Sequence, residues 1–383
     1  MTTEPGNLRQ AFKNIFNDDP VFVVRAPGRV NLIGEHTDYN EGFVLPMAID
    51  RGVWIALRPR PDSLVRVHAL DLNLSVAFDA NFPKKGNGWA EYLKGTAYEL
   101  QNAGFKLKGW EGVLSGDIPR GAGLSSSAAV ELAAARAFAA VSGFEWNPAR
   151  VAKIAQRAEN DWVGVNCGIM DQMASAVSRA GHALFLDCRT LEVQHIPIPP
   201  GVSIFVLDTS TRRGLVNSAY NERRGQCERA AKWFGVKALR DVSVETLQKT
   251  QNAKCKDLNE AVLKRVRHVI TENARVLEAI EAMKSNDLVR LGNLFNESHI
   301  SLRDDFEVTN DALDQIVGCA LEQPGCYGAR MTGAGFGGCA VALVREEKAE
   351  AFAEAVSTAY RQRSGLEAGV YICKASEGAS LVE

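Results

Sequence analysis

Pro119-Arg120-Gly121-Ala122-Gly123-Leu124-Ser125-Ser126-Ser127-Ala128-Ala129 is the stretch on which the reading of this chain depends. It stands where a short apolar run, Gly112–Leu114, gives way to Ala-rich sequence that predicts a helix from Ser126 to about Val141. A helix N-terminus presents unpaired backbone N–H groups and the positive end of its dipole, and both suit an anion. Glycines let the backbone approach a phosphate closely, and three serines add donors or a hydroxyl for a metal. A serine-rich helix cap uses the same residue types. Here a Gly-x-Gly, three serines and a long helix coincide, which favours a phosphate. The loop is not a Walker A sequence, which needs Gly-Lys-Ser/Thr, and no His-Arg-Asp or Asp-Phe-Gly set of a protein kinase is present.

On the N-terminal side, Val21–Arg25, Phe43–Ile49, Val53–Arg58, Leu64–His68 and Leu74–Phe78 read as strands. On the C-terminal side, Asn147-Pro148 reads as an N-cap with proline at the first helical position, opening a helix that runs to about Trp162. Strands Ala183–Asp187 and Val202–Leu207 follow, then helical patterns at about 218–234, 258–284, 287–301, 310–321 and 346–362. Strands at Cys339–Val344 and Val370–Lys374 are interleaved with the last of these. Strands and helices come in runs without regular alternation, so the expected class is α+β with mixed or antiparallel sheets. The pattern changes near residue 180, which suggests an N-terminal domain over 1–180 and a C-terminal domain over 181–383.

Lys plus Arg total 44 against 46 for Asp plus Glu, without blocks of either sign, so no basic field awaits nucleic acid or an anionic membrane. The N-terminal residues lack a signal pattern, and no apolar run approaches the roughly 20 residues of a membrane span. The eight cysteines form no Cys-x-x-Cys pair and read as reduced thiols of a cytoplasmic protein.

A second glycine cluster, Thr332-Gly333-Ala334-Gly335-Phe336-Gly337-Gly338, satisfies G-x-G-x-x-G but runs into a strand. A dinucleotide fingerprint requires a helix there, so a glycine-rich hairpin packed against the first loop or a ligand is the better expectation. Between Arg25 and Tyr39, Glu35, His36 and Asp38 place two carboxylates and an imidazole within four residues. That mixture of acceptors and donors suits a sugar's hydroxyls, and a solvated salt-bridged turn would also use it. Glu159 and Asp171 add two carboxylates near the end of the second predicted helix. Magnesium prefers one or two carboxylates and a hydroxyl, completed by phosphate oxygens and water.

These segments together resemble the galactokinases of the GHMP kinase superfamily along almost the whole chain. The resemblance is carried by Arg29–Asp38, Pro119–Ala129 and Met331–Gly338 in that order, with Gly168-Ile169-Met170-Asp171-Gln172 and Arg224-Gly225-Gln226-Cys227-Glu228. It implies a two-domain fold with the active site in the interdomain cleft and a C-terminal strand paired back onto the N-terminal sheet. The implied reaction is ATP-dependent phosphorylation of the C1 hydroxyl of galactose, with Mg2+ as cofactor.

By the same resemblance, Asp171 accepts the proton of that hydroxyl or orients it, and Arg29 keeps Asp171 ionised and stabilises the transferring phosphoryl group. Glu35, His36, Thr37, Asp38, Gly168 and Tyr220 match sugar contacts. Gly121, Ala122, Gly123, Leu124, Ser125, Ser126 and Ser127 match the ATP phosphate loop, and Trp89 and Tyr92 match aromatic positions near the adenine. Ser127 and Glu159 match the magnesium ligands. The implied partners are a small sugar and ATP, with neither nucleic acid nor membrane, for a monomer or weak oligomer. Thr211-Arg212-Arg213-Gly214 departs from the relatives' common Arg-His before the sugar-facing tyrosine, which leaves arabinose or N-acetylgalactosamine as alternative substrates. A sugar- and ATP-binding sensor without turnover is the other alternative, disfavoured because Arg29, Asp171 and the serine loop are intact.

Overall fold

The structure, a computed structural model, describes residues 5–119, 121–211, 216–252 and 259–382. Arg120 and the divergent Arg212-Arg213-Gly214 lie outside the described residues. The first sheet is built from β1 (Phe22–Ile33), β2 (Phe43–Pro59), β3 (Leu64–Ala69), β4 (Leu74–Asp79), β5 (Trp110–Gly116), β6 (His182–Asp187) and β7 (Val193–Pro197). Its pairings are antiparallel except β3 with β5.

β1 continues eight residues past the expected end at Arg25, carried through Pro27 and Gly28 by pairing with β2. Its register slips between Pro27 and Arg29 and again between Asn31 and Ile33. β2 is one strand where the sequence suggests two, because only Asp50 is exposed and Arg51 half-buried at the apparent break.

Alternate residues of this sheet serve two layers, as the period of two requires. Val23, Trp54, Ala56 and Val113 pack with Leu8 and Phe12 of α1 (Pro5–Phe16) on one face. Val24, Ile55, Leu57 and Leu114 join the main core on the other. There α3 (Ser126–Ser142) is buried on nearly all sides, flanked by α2 (Ala90–Asn102), α4 (Pro148–Arg157) and α5 (Met170–Val177). Its many alanines carry little side-chain bulk, so the neighbouring elements approach closely. Asn147 caps α4 by accepting from the Arg150 N–H at 3.0 Å, as its Asn-Pro start predicts. α4 passes into a single π turn, Ala158–Val163, in place of the continuous helix expected to Trp162.

The later helices are α6 (Val216–Phe234), α7 (Val244–Asn252), α8 (Glu260–Lys284), α9 (Leu288–Asp304), α10 (Asp311–Leu321) and α11 (Ala349–Ser364). The second sheet is antiparallel: β8 (Val202–Asp208), β9 (Cys326–Thr332), β10 (Cys339–Arg345) and β11 (Gly369–Cys373), in the order β11-β8-β10-β9. Phe205 and Leu207 of β8 face α10 and α11, whereas Ile204 and Val206 join the core of the first sheet. One core therefore runs through both halves, and the sheets change between Pro197 and Val202, beyond the pattern change at residue 180. β6 and β7 lie past that change in sequence yet pair with β2 and with each other. Finally β12 (Ser380–Leu381) returns to β1, with Val24 opposite Leu381 and Arg25 opposite Ser380.

Candidate active site

The first slip in the β1–β2 register falls just before Arg29, and a bulge of that kind re-aims the following side chain. Arg29 donates from Nε and Nη2 to the two carboxylate oxygens of Asp171 at 2.9 and 2.8 Å. Its Nη1 donates to the Gly123 carbonyl at 2.6 Å. Asp171 sits in the first turn of α5, where the helix dipole favours an anion. The Ser125 hydroxyl also donates to Asp171. Ser125 has φ 56° and makes no side-chain cap for α3, so the capping alternative fails at this serine. Asp171 keeps 25% side-chain exposure beside a nearly buried Arg29, which leaves the carboxylate open to a ligand.

That exposed edge faces a cavity of about 160 Å³ that also gathers Glu35, His36, Asp38, Gly168 and Tyr220. Glu35 accepts from the Gly333 N–H at 2.7 Å and the Thr332 hydroxyl at 3.1 Å. His36 has φ 62° and stacks with Tyr39, Tyr220 and Phe306. Burial drives its pKa down to about 3, so the imidazole is neutral. Burial and then the charge of Asp171 raise Asp38 to about 7. Gly168 is dictated by space, since a Cβ there would lie 1.8 Å from Asp38 Oδ2. Thr37 does not line this cavity; its hydroxyl lies 2.9 Å from the Gly34 carbonyl and 2.7 Å from that of Phe43, locking the turn.

A second cavity, of about 300 Å³, opens beside the start of α3. Trp89, Tyr92, Ser126 and Ser127 line it with apolar residues of β2 and β5. Gly121 and Gly123 are exposed with positive φ, whereas the Ala122 and Leu124 side chains are buried in the core. A ligand on this loop therefore meets backbone from the latter two. The glycine cluster of Thr332–Gly338 packs against the loop: a Cβ on Gly333, at φ 83°, would stand 2.9 Å from the Gly123 carbonyl. Contacts at the serines link the two cavities: Ser125 touches Asp171, which lines the first, and Ser127, which lines the second, hydrogen-bonds Glu159 of the first.

Glu159 lies on the π turn and lines the first cavity. Burial and then Asp171 raise its pKa to about 7, against hydrogen bonds from Ser127, Cys167 and Gln172. Among the described residues no group of three or more His, Cys, Asp or Glu is arranged for a metal. One carboxylate and one hydroxyl, Glu159 and Ser127, fit a magnesium ion that takes its remaining ligands from phosphate and water.

Sequence reasoning missed Glu131 and assigned no role to Gln172, which stands in the Gly168–Gln172 motif. Gln172 donates to Glu159 at 2.6 Å and to Glu131 at 3.2 Å. Glu131 is fully buried on α3, and burial followed by Glu159 raises its pKa well above the ordinary carboxyl value. A glutamate amid the alanines of a largely apolar helix was the available signal.

The arrangement is that of a GHMP kinase. The family model for the GHMP kinase N-terminal domain matches residues 91–179, and that for the C-terminal region matches 279–362. A mevalonate kinase from Methanococcus jannaschii shares the fold at 19% identity, with a TM-score of 0.65 over 93% of this chain and 98% of that one. The galactokinase galactose-binding signature matches residues 10–59. A galactokinase from Roseiflexus sp. (strain RS-1) is 45% identical over 99% of this chain and 97% of its own length. The crystal structure of Lactococcus lactis galactokinase complexed with galactose superposes with a TM-score of 0.93, at 36% identity, over 98% of this chain and 99% of that one. The chain belongs to the galactokinase family.

Proposed function

We propose that the protein transfers the γ-phosphoryl group of ATP to the C1 hydroxyl of D-galactose. The observation that carries this reading is the triple contact of Asp171 with Arg29 and Ser125 where contacts link the two cavities. Galactose occupies the smaller cavity, held by Glu35, His36, Asp38, Gly168 and Tyr220. ATP occupies the larger, its adenine near Trp89 and Tyr92 and its phosphates on the loop from Gly121 to Ser127.

Asp171 accepts a hydrogen bond from the C1 hydroxyl, aligns it, and takes its proton as the new O–P bond forms and the bond from the γ-phosphorus to the bridging oxygen breaks, releasing ADP. Arg29 fixes both carboxylate oxygens and places positive charge beside the transferring group. Phosphoryl transfer asks mainly for positioning and charge stabilisation, so no covalent enzyme intermediate is required. Ser127 and Glu159 would hold Mg2+, which when bound neutralises charge on the phosphate oxygens. With Nδ1 of neutral His36 2.9 Å from the Tyr39 hydroxyl, Nε2 is left as a donor or an acceptor according to tautomer, whereas an imidazolium only donates. We place the enzyme in the cytoplasm, as a monomer or weak oligomer. Among the described residues no helix is long and apolar enough to cross a membrane, and the described cysteines are free thiols.

The test is ADP release with magnesium across galactose, glucose, arabinose, galactosamine and N-acetylgalactosamine. Galactose-dependent release with phosphate at C1 is expected. Turnover of another sugar alone would overturn the substrate, and galactose and ATP binding without turnover would overturn the enzyme.

A further inference from the structure

The sugar cavity is lined in part from β1 and the turn after it, and beside the local bonds of Thr37 this turn is held by side chains of the C-terminal half. Glu272 of α8 is fully buried. Its Oε1 accepts from the Gly34 N–H at 2.9 Å, the Glu35 N–H at 3.4 Å and the Ser298 hydroxyl at 2.7 Å. Its Oε2 accepts from Arg275 Nε at 2.7 Å. Arg330 of β9, also fully buried, donates from Nη1 to the Asn31 and Leu32 carbonyls at 3.1 and 3.0 Å. It donates from Nε to the Ser298 hydroxyl at 3.1 Å. The same guanidinium lies 3.6 Å from the Glu35 carboxylate and 3.9 Å from that of Glu272. One turn earlier on α8, His268 Nε2 is 3.0 Å from the Glu35 carbonyl.

Two carboxylates and two guanidiniums, Glu35, Glu272, Arg275 and Arg330, thus share one buried compartment. Burial opposes ionisation of Glu272, and Arg275, then His268 and Arg330, overcome it and hold its pKa down at about 2. Removing one member of such a set leaves an uncompensated buried charge. Glu35 is the only member that lines the sugar cavity, so any imbalance reaches the ligand through its carboxylate.

We infer that Glu272 and Arg330 are positioning residues for the sugar: they clamp the Gly34–Glu35 backbone and aim the Glu35 carboxylate, touching no substrate themselves. The clamp joins α8, α9 and β9 to β1, so the sugar site is complete only when both halves are seated. This rests on the reading of the smaller cavity as the sugar site.

The experiment is a double-mutant cycle on the intact protein, with Glu272→Gln, Glu35→Gln and the pair. Glu272→Gln is expected to raise the galactose KM about tenfold to a hundredfold, as for a charged hydrogen-bond group, with the ATP KM unchanged. The double variant is expected to be no worse than Glu35→Gln alone. Additive effects, or galactose and ATP constants that rise together, would overturn the clamp and leave Glu272 as structural packing. Should Glu272→Gln not fold, Ser298→Ala removes one neutral hydroxyl that touches both Glu272 and Arg330, and the same cycle with Glu35→Gln decides. A wild-type protein that binds no galactose would remove the sugar-site reading, whereas binding with an additive cycle removes only the clamp.

Discussion

Around the sugar cavity, Glu35, His36 and Thr37 are buried, and their turn is tied by side chains from distant parts of the chain. Across Gly333, the phosphate loop exposes Gly121 and Gly123, adopts positive φ at both and at Ser125, and receives no side-chain cap at its helix. One region is fixed before a ligand arrives, and the other leaves backbone polarity for a ligand to satisfy. The contrast fits the two substrates. A sugar is discriminated by where single hydroxyls fall, which needs rigid partners. A triphosphate is recognised largely by charge, which a helix start and a cation supply.

Asp171 belongs to both regions, so Asp171→Asn breaks the comparison most severely. We expect kcat to fall about a hundredfold to ten-thousandfold, the usual range for a positioned acid–base group, while galactose affinity by calorimetry changes little. An equal loss of affinity would make Asp171 a sugar anchor instead. Gly168→Ala probes the rigid side alone. Its methyl must displace Asp38, and overpacking of that kind corresponds to about a tenfold to hundredfold loss in galactose kcat/KM. The ATP KM should hold, and a parallel rise in it would show that the two regions are not separable.

Glu159→Gln tests the link between the sides, since Glu159 lines the first cavity and hydrogen-bonds Ser127 of the loop. The magnesium needed for half-maximal rate should rise about tenfold with the galactose KM constant, and an unchanged metal dependence would remove Glu159 from the metal shell. The smallest effect concerns pH. Asp38 is raised to about 7, so its ionised, hydroxyl-accepting fraction grows as pH climbs through that value. The galactose KM should fall by about threefold to tenfold between pH 6 and 8 for a single carboxylate titrating there. Asp38→Asn should remove its share of that profile, leaving only what Glu159, also raised to about 7, contributes, and a wild-type profile already flat would show that Asp38 does not titrate there.

Much of this was legible because it is local. The glycine-serine stretch, the helix starting at Ser126 and the Asn147 cap depend on neighbours in sequence, and their signals are those of residue type and spacing. The continuation of β1 through Pro27-Gly28 was not legible, because two residues that usually end a strand are held in register by β2. The same pairing joins Phe43–Ile49 and Val53–Arg58 into one strand. α1 was missed, because its apolar residues count only once the outer face of the first sheet exists to receive them. In the site, the motif residues declared themselves by their density. Glu272 and Arg330 did not, because an isolated Glu in a long helix and an isolated Arg in a strand look alike whether they face water or a partner far along the chain.

The return of Ser380–Leu381 to β1 bears on how the molecule is made. Arg25 of β1 donates to the Ser376 hydroxyl at 2.7 Å across 351 residues of sequence. During synthesis Val23–Arg25 of that edge are therefore covered only after residues 376–382 have been made. An uncovered edge is a template for other chains, and this short late strand blunts that edge of the sheet in the folded protein.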